Sequence, residues 1–228
     1  MRRDGGLQRA ARGGRAAALS LVGTLALGGC SGGSPEPPPP SGPAVEALQQ
    51  AQTTMTSLRS YAFRLTATST QGGTAQRLGA SGRVQTPDRI AAEVSLAGRN
   101  QQVVGVPEGQ FVLPPGGTWQ RVTGSSLRPI PWPQLLGNLG GPTVETTPTG
   151  STVTGSVAPA DAATFGFPAG ATLQRSTAVV RLDPQHHVTR LDLTLAGVQG
   201  STPVEVIENV ELDGFDGQAP VVAPGGVV

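Results

Sequence analysis

Five stretches of this chain alternate between apolar and polar side chains with a period of two. In Tyr61-Ala62-Phe63-Arg64-Leu65-Thr66-Ala67 the odd positions form an apolar row, and Ile90-Ala91-Ala92-Glu93-Val94-Ser95-Leu96 repeats the pattern. Thr177 to Leu182, Val188 to Leu195 and Val204 to Leu212 continue it less cleanly. Successive side chains of a strand point to opposite faces, so this period describes strands with one face buried. Clusters of turn-forming residues separate the runs: Thr86-Pro87-Asp88, Pro114-Pro115-Gly116-Gly117 and Asp183-Pro184-Gln185-His186. Short strands punctuated in this way predict antiparallel hairpins.

Three segments break the alternation. From Val45 to Arg59 the apolar stripe Val45, Leu48, Met55 and Leu58 follows one face of a helix. Pro43 sits near its first turn and Arg59 in its last, where each is favourable. Pro129 to Gly141 contains Trp132-Pro133-Gln134-Leu135-Leu136-Gly137-Asn138-Leu139, read as a short apolar helix, and Pro159 to Phe165 reads as another helical turn. The expected class is α+β: one large antiparallel sheet, a long N-terminal helix, and short helices across one face.

The N-terminus carries a different signal. Arg2, Arg3, Arg9, Arg12 and Arg15 precede an apolar stretch from Ala16 to Gly29. A basic segment followed by a short apolar one is the pattern of a secretory signal. The apolar stretch covers 14 positions, and a spanning helix needs about 20. It ends Leu27-Gly28-Gly29-Cys30, which resembles a bacterial lipobox: leucine, two small residues, then the cysteine that is lipidated. Cys30 is the chain's single cysteine, so it has no intramolecular disulfide partner. The reading is a signal peptide over 1–29, cleavage before Cys30, a diacylglyceryl group on its sulfur, and a lipid anchor on the extracytoplasmic face of the cell membrane. Two or three acyl chains, palmitate among them, hold a protein stably where one does so only marginally.

Removing 29 residues from 228 leaves 199, enough for one medium domain and a tail. Five of the 16 basic residues and one of the 15 acidic ones go with the signal, leaving a net charge of about −3. Nucleic acid and anionic headgroups gain nothing from such a surface as electrostatic partners. Residues 30–43 carry the lipidated cysteine and a Pro-rich run that favours polyproline II. A dozen such residues span roughly 35–40 Å, a semi-stiff tether. The folded domain is expected over 44–217, with 218–228 as a disordered C-terminal tail.

Residues suited to catalysis are sparse. His186 and His187 are the only histidines and adjoin in a predicted turn, a poor geometry for one metal. The sequence contains no nucleophile elbow, phosphate loop or zincin motif. Glu205, Glu208, Glu211, Asp213 and Asp216 form an acidic series without the spacing or closing glutamate of a calcium loop. They read as a solvated strand edge, where charge discourages edge-to-edge pairing. The expectation is therefore no enzyme, no metal and no cofactor.

A binding module remains. A curved sheet with an aliphatic concave face can enclose acyl chains, each buried methylene contributing about 0.8 kcal/mol. Alternation makes Phe63, Leu65, Ile90, Val94, Leu96, Val180, Leu182, Leu191, Leu193 and Leu195 lining candidates, with Leu135, Leu136 and Leu139 as a lid. A solid core would need the same residues.

The order of features adds to this. Lipobox, Pro-rich tether and amphipathic helix are followed by Ser60-Tyr61-Ala62-Phe63-Arg64-Leu65. Next come Gln110-Phe111-Val112-Leu113 before Gly116-Gly117-Thr118-Trp119, then Val179-Val180-Arg181-Leu182-Asp183 before Val188-Thr189-Arg190-Leu191-Asp192-Leu193. Leu212-Asp213-Gly214-Phe215-Asp216 and Pro220 to Pro224 close the series. This order resembles the actinobacterial lipoprotein family typified by LppX and LprG, over roughly residues 44–224. The resemblance implies a LolA-like half-barrel with helices over its mouth, and an acylated lipid or glycolipid as ligand, carried within the cell envelope. A protein-interaction or transporter-accessory module, with an envelope transporter as partner, is the alternative.

Overall fold

The computed structural model describes residues 41–123 and 128–225. It contains one open sheet of eleven strands. In chain order these are β1 (Ser60–Gln71), β2 (Thr74–Gln85), β3 (Arg89–Leu96), β4 (Arg99–Val106), β5 (Gly109–Leu113), β6 (Gln120–Val122), β7 (Gly140–Thr147), β8 (Gly150–Ser156), β9 (Thr172–Leu182), β10 (Val188–Gln199) and β11 (Thr202–Asp213). The spatial order is β6-β5-β4-β3-β2-β1-β11-β10-β9-β8-β7, and every neighbouring pair is antiparallel. The chain thus winds outward from β1 to one edge, crosses to the other edge, and winds back until β11 pairs with β1. The five alternating runs fall on β1, β3, β9, β10 and β11.

The crossing carries helix α2 (Trp132–Gly137), which packs against helix α1 (Pro43–Ser57). A 3₁₀ turn, Ala162–Phe165, completes the helical layer. α1 buries Ala44, Ala47, Leu48, Ala51 and Met55. Three of these are alanines, whose small size lets the helix lie close to β7 and β8. That explains the departure from the Val45–Leu48–Met55–Leu58 stripe: Val45 is only half-buried, and Leu58 is already extended backbone. Gln52 Nε2 donates to the Pro133 carbonyl at 2.9 Å, and Trp132 Nε1 donates to Tyr61 Oη at 3.2 Å. These bonds tie α2 to α1 and to β1. Burial pushes the Tyr61 phenol up to about 12, against the smaller lowering effect of the Trp132 bond.

The helical layer covers only part of the inner face. Its side chains interlock with β8 to β11 in the main core, which holds Leu136, Val153, Val180, Leu191, Leu193 and Leu195. The inner face of β2 to β4 has a separate small cluster, Ala80, Ala92, Val94 and Val103. On the outer face Phe111, Val106 and Val221 form a third.

Gln218–Gly225 has no regular secondary structure, and Val221 within it is buried. Gln218 N donates to Ser60 Oγ at 3.2 Å, Val221 N donates to Gln85 Oε1 at 3.1 Å, and Arg89 Nη1 donates to the Val221 carbonyl at 3.1 Å. A buried valine and three hydrogen bonds hold the segment against the sheet. Cys30, the signal segment and the tether up to Pro40 lie outside the described residues, and Pro43, the tether's last residue, opens α1.

Candidate functional site

The partial cover leaves a cleft of about 640 Å³ on the inner face. Its sheet wall comes from β1 (Leu65, Ala67, Ser69), β2 (Gln76, Leu78) and β11 (Val206, Glu208), with Leu96 at the tip of β3. Its other wall is the segment Arg128–Pro131 and the 3₁₀ turn with Phe165. The volume lies in the ~300–1,000 Å³ range of small-molecule sites. A wider depression at the strand tips shares Leu78 and Leu96 with it. Leu96 is 48 % exposed, a large apolar side chain with no cover of its own.

Register explains how the cleft is built. One row across the sheet reads Leu96, Leu78, Ala67, Glu208, Leu193, Ala178, each paired with the next. Along β11 the inward positions are Val204, Val206, Glu208, Val210 and Leu212, all buried. Glu208 is the acid in an otherwise aliphatic column. It is 7 % exposed and makes no hydrogen bond or ion pair among the described residues. Burial pushes its carboxyl up to about 7. Arg77 and Arg128 also line the cleft and are exposed.

The sequence-derived lining residues fall in four places. Leu65 and Leu96 line the cleft. Phe63, Leu65 and Ile90 border a second space of about 40 Å³ beside Trp132, far below the ~300 Å³ at which small-molecule sites begin. Val94 lies in the small β2–β4 cluster. Val180, Leu182, Leu191, Leu193, Leu195, Leu135, Leu136 and Leu139 are packed in the main core between sheet and helices. The two leucine groups meet each other, so α2 here is a plug seated on its strands.

The acidic series differs from the expected solvated edge. β11 is a central strand, between β1 and β10. Glu211 faces outward and pairs with Arg190 at 3.2 Å and Arg64 at 3.7 Å. Asp216 Oδ1 accepts from Arg59 N at 2.6 Å and Ser60 N at 3.3 Å, fixing the start of β1. Glu208 alone turns inward among apolar neighbours. The even-numbered alternation Val204–Val206–Glu208–Val210–Leu212 carried that information. Leu78, in the glycine-interrupted β2, gave no comparable signal.

The adjacent histidines diverge. His187 stacks on Phe215, with ring centroids 4.4 Å apart, and its Nδ1 lies 2.8 Å from Asp183 Oδ2. His186 sits at φ 64° in the turn. No group of three or more His, Cys, Asp or Glu among the described residues is placed to hold a metal ion. No helix among them is long and apolar enough to cross a membrane.

Two mycobacterial proteins are similar to this chain. One is lipoprotein LppX of Mycobacterium tuberculosis: 15 % identity, TM-score 0.48, with 78 % of this chain and 98 % of that one covered. The other is LprF of Mycobacterium bovis: 15 % identity, TM-score 0.44, with 82 % and 99 % covered. A putative outer membrane lipoprotein-sorting protein domain from Vibrio parahaemolyticus is similar at 10 % identity and TM-score 0.31, with 78 % and 94 % covered. No protein-family model matches the sequence, and no curated protein matches it.

Proposed function

We propose that this chain is a lipoprotein, anchored through Cys30, that takes acyl chains of envelope lipids into the cleft between β1, β2, β11 and the 3₁₀ turn and carries them within the cell envelope. The observation that carries the reading is the cleft itself. It is a cavity of about 640 Å³ whose walls are mainly aliphatic, on a sheet whose other half is packed solid. A 16-carbon chain buried there would gain on the order of 12 kcal/mol gross at about 0.8 kcal/mol per methylene, before the ordering costs of binding. The leader, the lone cysteine and the Pro-rich tether supply the membrane attachment this role requires. Because Leu191, Leu193 and Leu195 are packed in the core, this reading puts the ligand on the β1–β2–β11 side.

Native mass spectrometry of the chain purified from an envelope-lipid-rich host tests the reading. The expected result is co-purifying masses that vanish on organic extraction and return with added diacyl lipid. A protein mass that stays bare in excess lipid sinks it. Replacing Leu78 with Arg places a charge on the cleft wall and lowers lipid occupancy about tenfold or more, with the circular dichroism spectrum unchanged.

A further inference from the structure

Glu208 is unexplained by folding. Its carboxyl oxygens open to the cleft and are not sealed in the core, but its in-register neighbours are Ala67 and Leu193, and no cation lies within ion-pair distance among the described residues. Burying a carboxyl without a partner destabilises a fold, and a valine would continue the column of Val204, Val206 and Val210. Side chains that break a local rule with no structural return mark functional positions.

Resting on the carrier reading above, we propose that Glu208 is the polar recognition point of the cleft, and that its carboxyl donates a hydrogen bond to an uncharged oxygen of the ligand, an ester carbonyl or a hydroxyl beside an acyl chain. The ligand class is an acylated ester or alcohol, not a plain hydrocarbon and not a cationic amine. The placement selects this chemistry. An aliphatic surround disfavours the ionised carboxylate, so the group at this depth serves best as a neutral acid, one O–H donor with acceptor capacity beside it. The direction of its shift, upward through burial, agrees. The charged groups that line the same cleft, Arg77 and Arg128, are solvent-exposed and pair with no acid among the described residues. A free fatty-acid carboxylate is disfavoured beside Glu208, because two carboxyls in one apolar site oppose each other's ionisation.

The test is competition. The full chain in mild detergent is offered an equimolar mixture of methyl palmitate, nonadecane and hexadecylamine, and the bound fractions are extracted from the washed protein and read by gas chromatography. Wild type is expected to prefer methyl palmitate over nonadecane by roughly five- to tenfold, the worth of one hydrogen bond. Glu208→Leu brings that ratio close to one, and Glu208→Gln, which keeps an N–H donor, restores it. A ratio unchanged in Glu208→Leu overturns the proposal while leaving the carrier reading standing. A preference for hexadecylamine also overturns it, because the carboxylate would then be reading a cation. If no probe binds to wild type or variants, the carrier reading and this inference both fall.

Discussion

Glu208 sets a measurable pH dependence. Its folded carboxyl is raised to about 7 from an ordinary 4.5, so the folded state keeps a proton that the unfolded chain has already released. Its contribution to stability is complete below about pH 4.5, is lost as the pH rises through 7, and is level above that. At about 1.36 kcal/mol per pH unit, the loss is of order 3 kcal/mol. In urea unfolding at pH 4.5 and pH 8, wild type is expected to lose about 2–3 kcal/mol more than Glu208→Gln between the two conditions. Parallel losses in both proteins would place the carboxyl in water.

Among the elements, α1 shows how small residues decide a position. Ala51 is fully buried on the face that packs toward α2, β7 and β8. Enlarging it to Leu adds three carbons where none fit, and overpacking of this kind costs about 1–3 kcal/mol. Ala51→Leu is expected to lower the urea midpoint accordingly, whereas Gln50→Leu, at an exposed position of the same helix, leaves it nearly unchanged. The helix was legible because its larger apolar residues recur at helical spacing. Its true contact line, Ala44–Ala47–Leu48–Ala51–Met55, was less so, because alanine reads as neutral in a hydrophobic pattern. Strands showed the same selectivity. β1, β3, β10 and β11 announced themselves by alternation, and β2 did not, since Gly79 and Gly82 read as breaks. In the sheet Gly82 permits a close approach: a Cβ there would lie 2.1 Å from the Ala91 carbonyl oxygen, a position glycine alone can fill.

For the whole molecule, the prediction concerns attachment. Cys30→Ala is expected to abolish acylation and move the protein out of the membrane fraction or leave it unprocessed. An unchanged membrane partition with the mass of the unacylated chain would rule out the anchor. The sheet itself joins two meanders at β1 and β11, so the first and last strands lie side by side. That pairing puts different parts of the inner face under different cover: helices over β8–β10 and the start of β1, and an open cleft over the rest of β1, β2 and β11.

Alternation, turn residues and helical spacing determined the antiparallel strands, the long N-terminal helix and the short helices, because these depend on local periodicity. They also supplied the aliphatic faces from which any cavity here would be lined. Only the tertiary structure decided which faces stay open. Leu193 and Leu78 read alike as apolar strand residues, yet Leu193 is sealed beneath the helical layer and Leu78 forms the wall of a cleft. Alternation set Glu208 on the same side as Val206 and Val210, but it lines a cleft only because β11 pairs with β1 and β10 in the middle of the sheet. Pairing between strands more than a hundred residues apart carries no local signature, and it determines which side chains meet a helix and which meet a ligand.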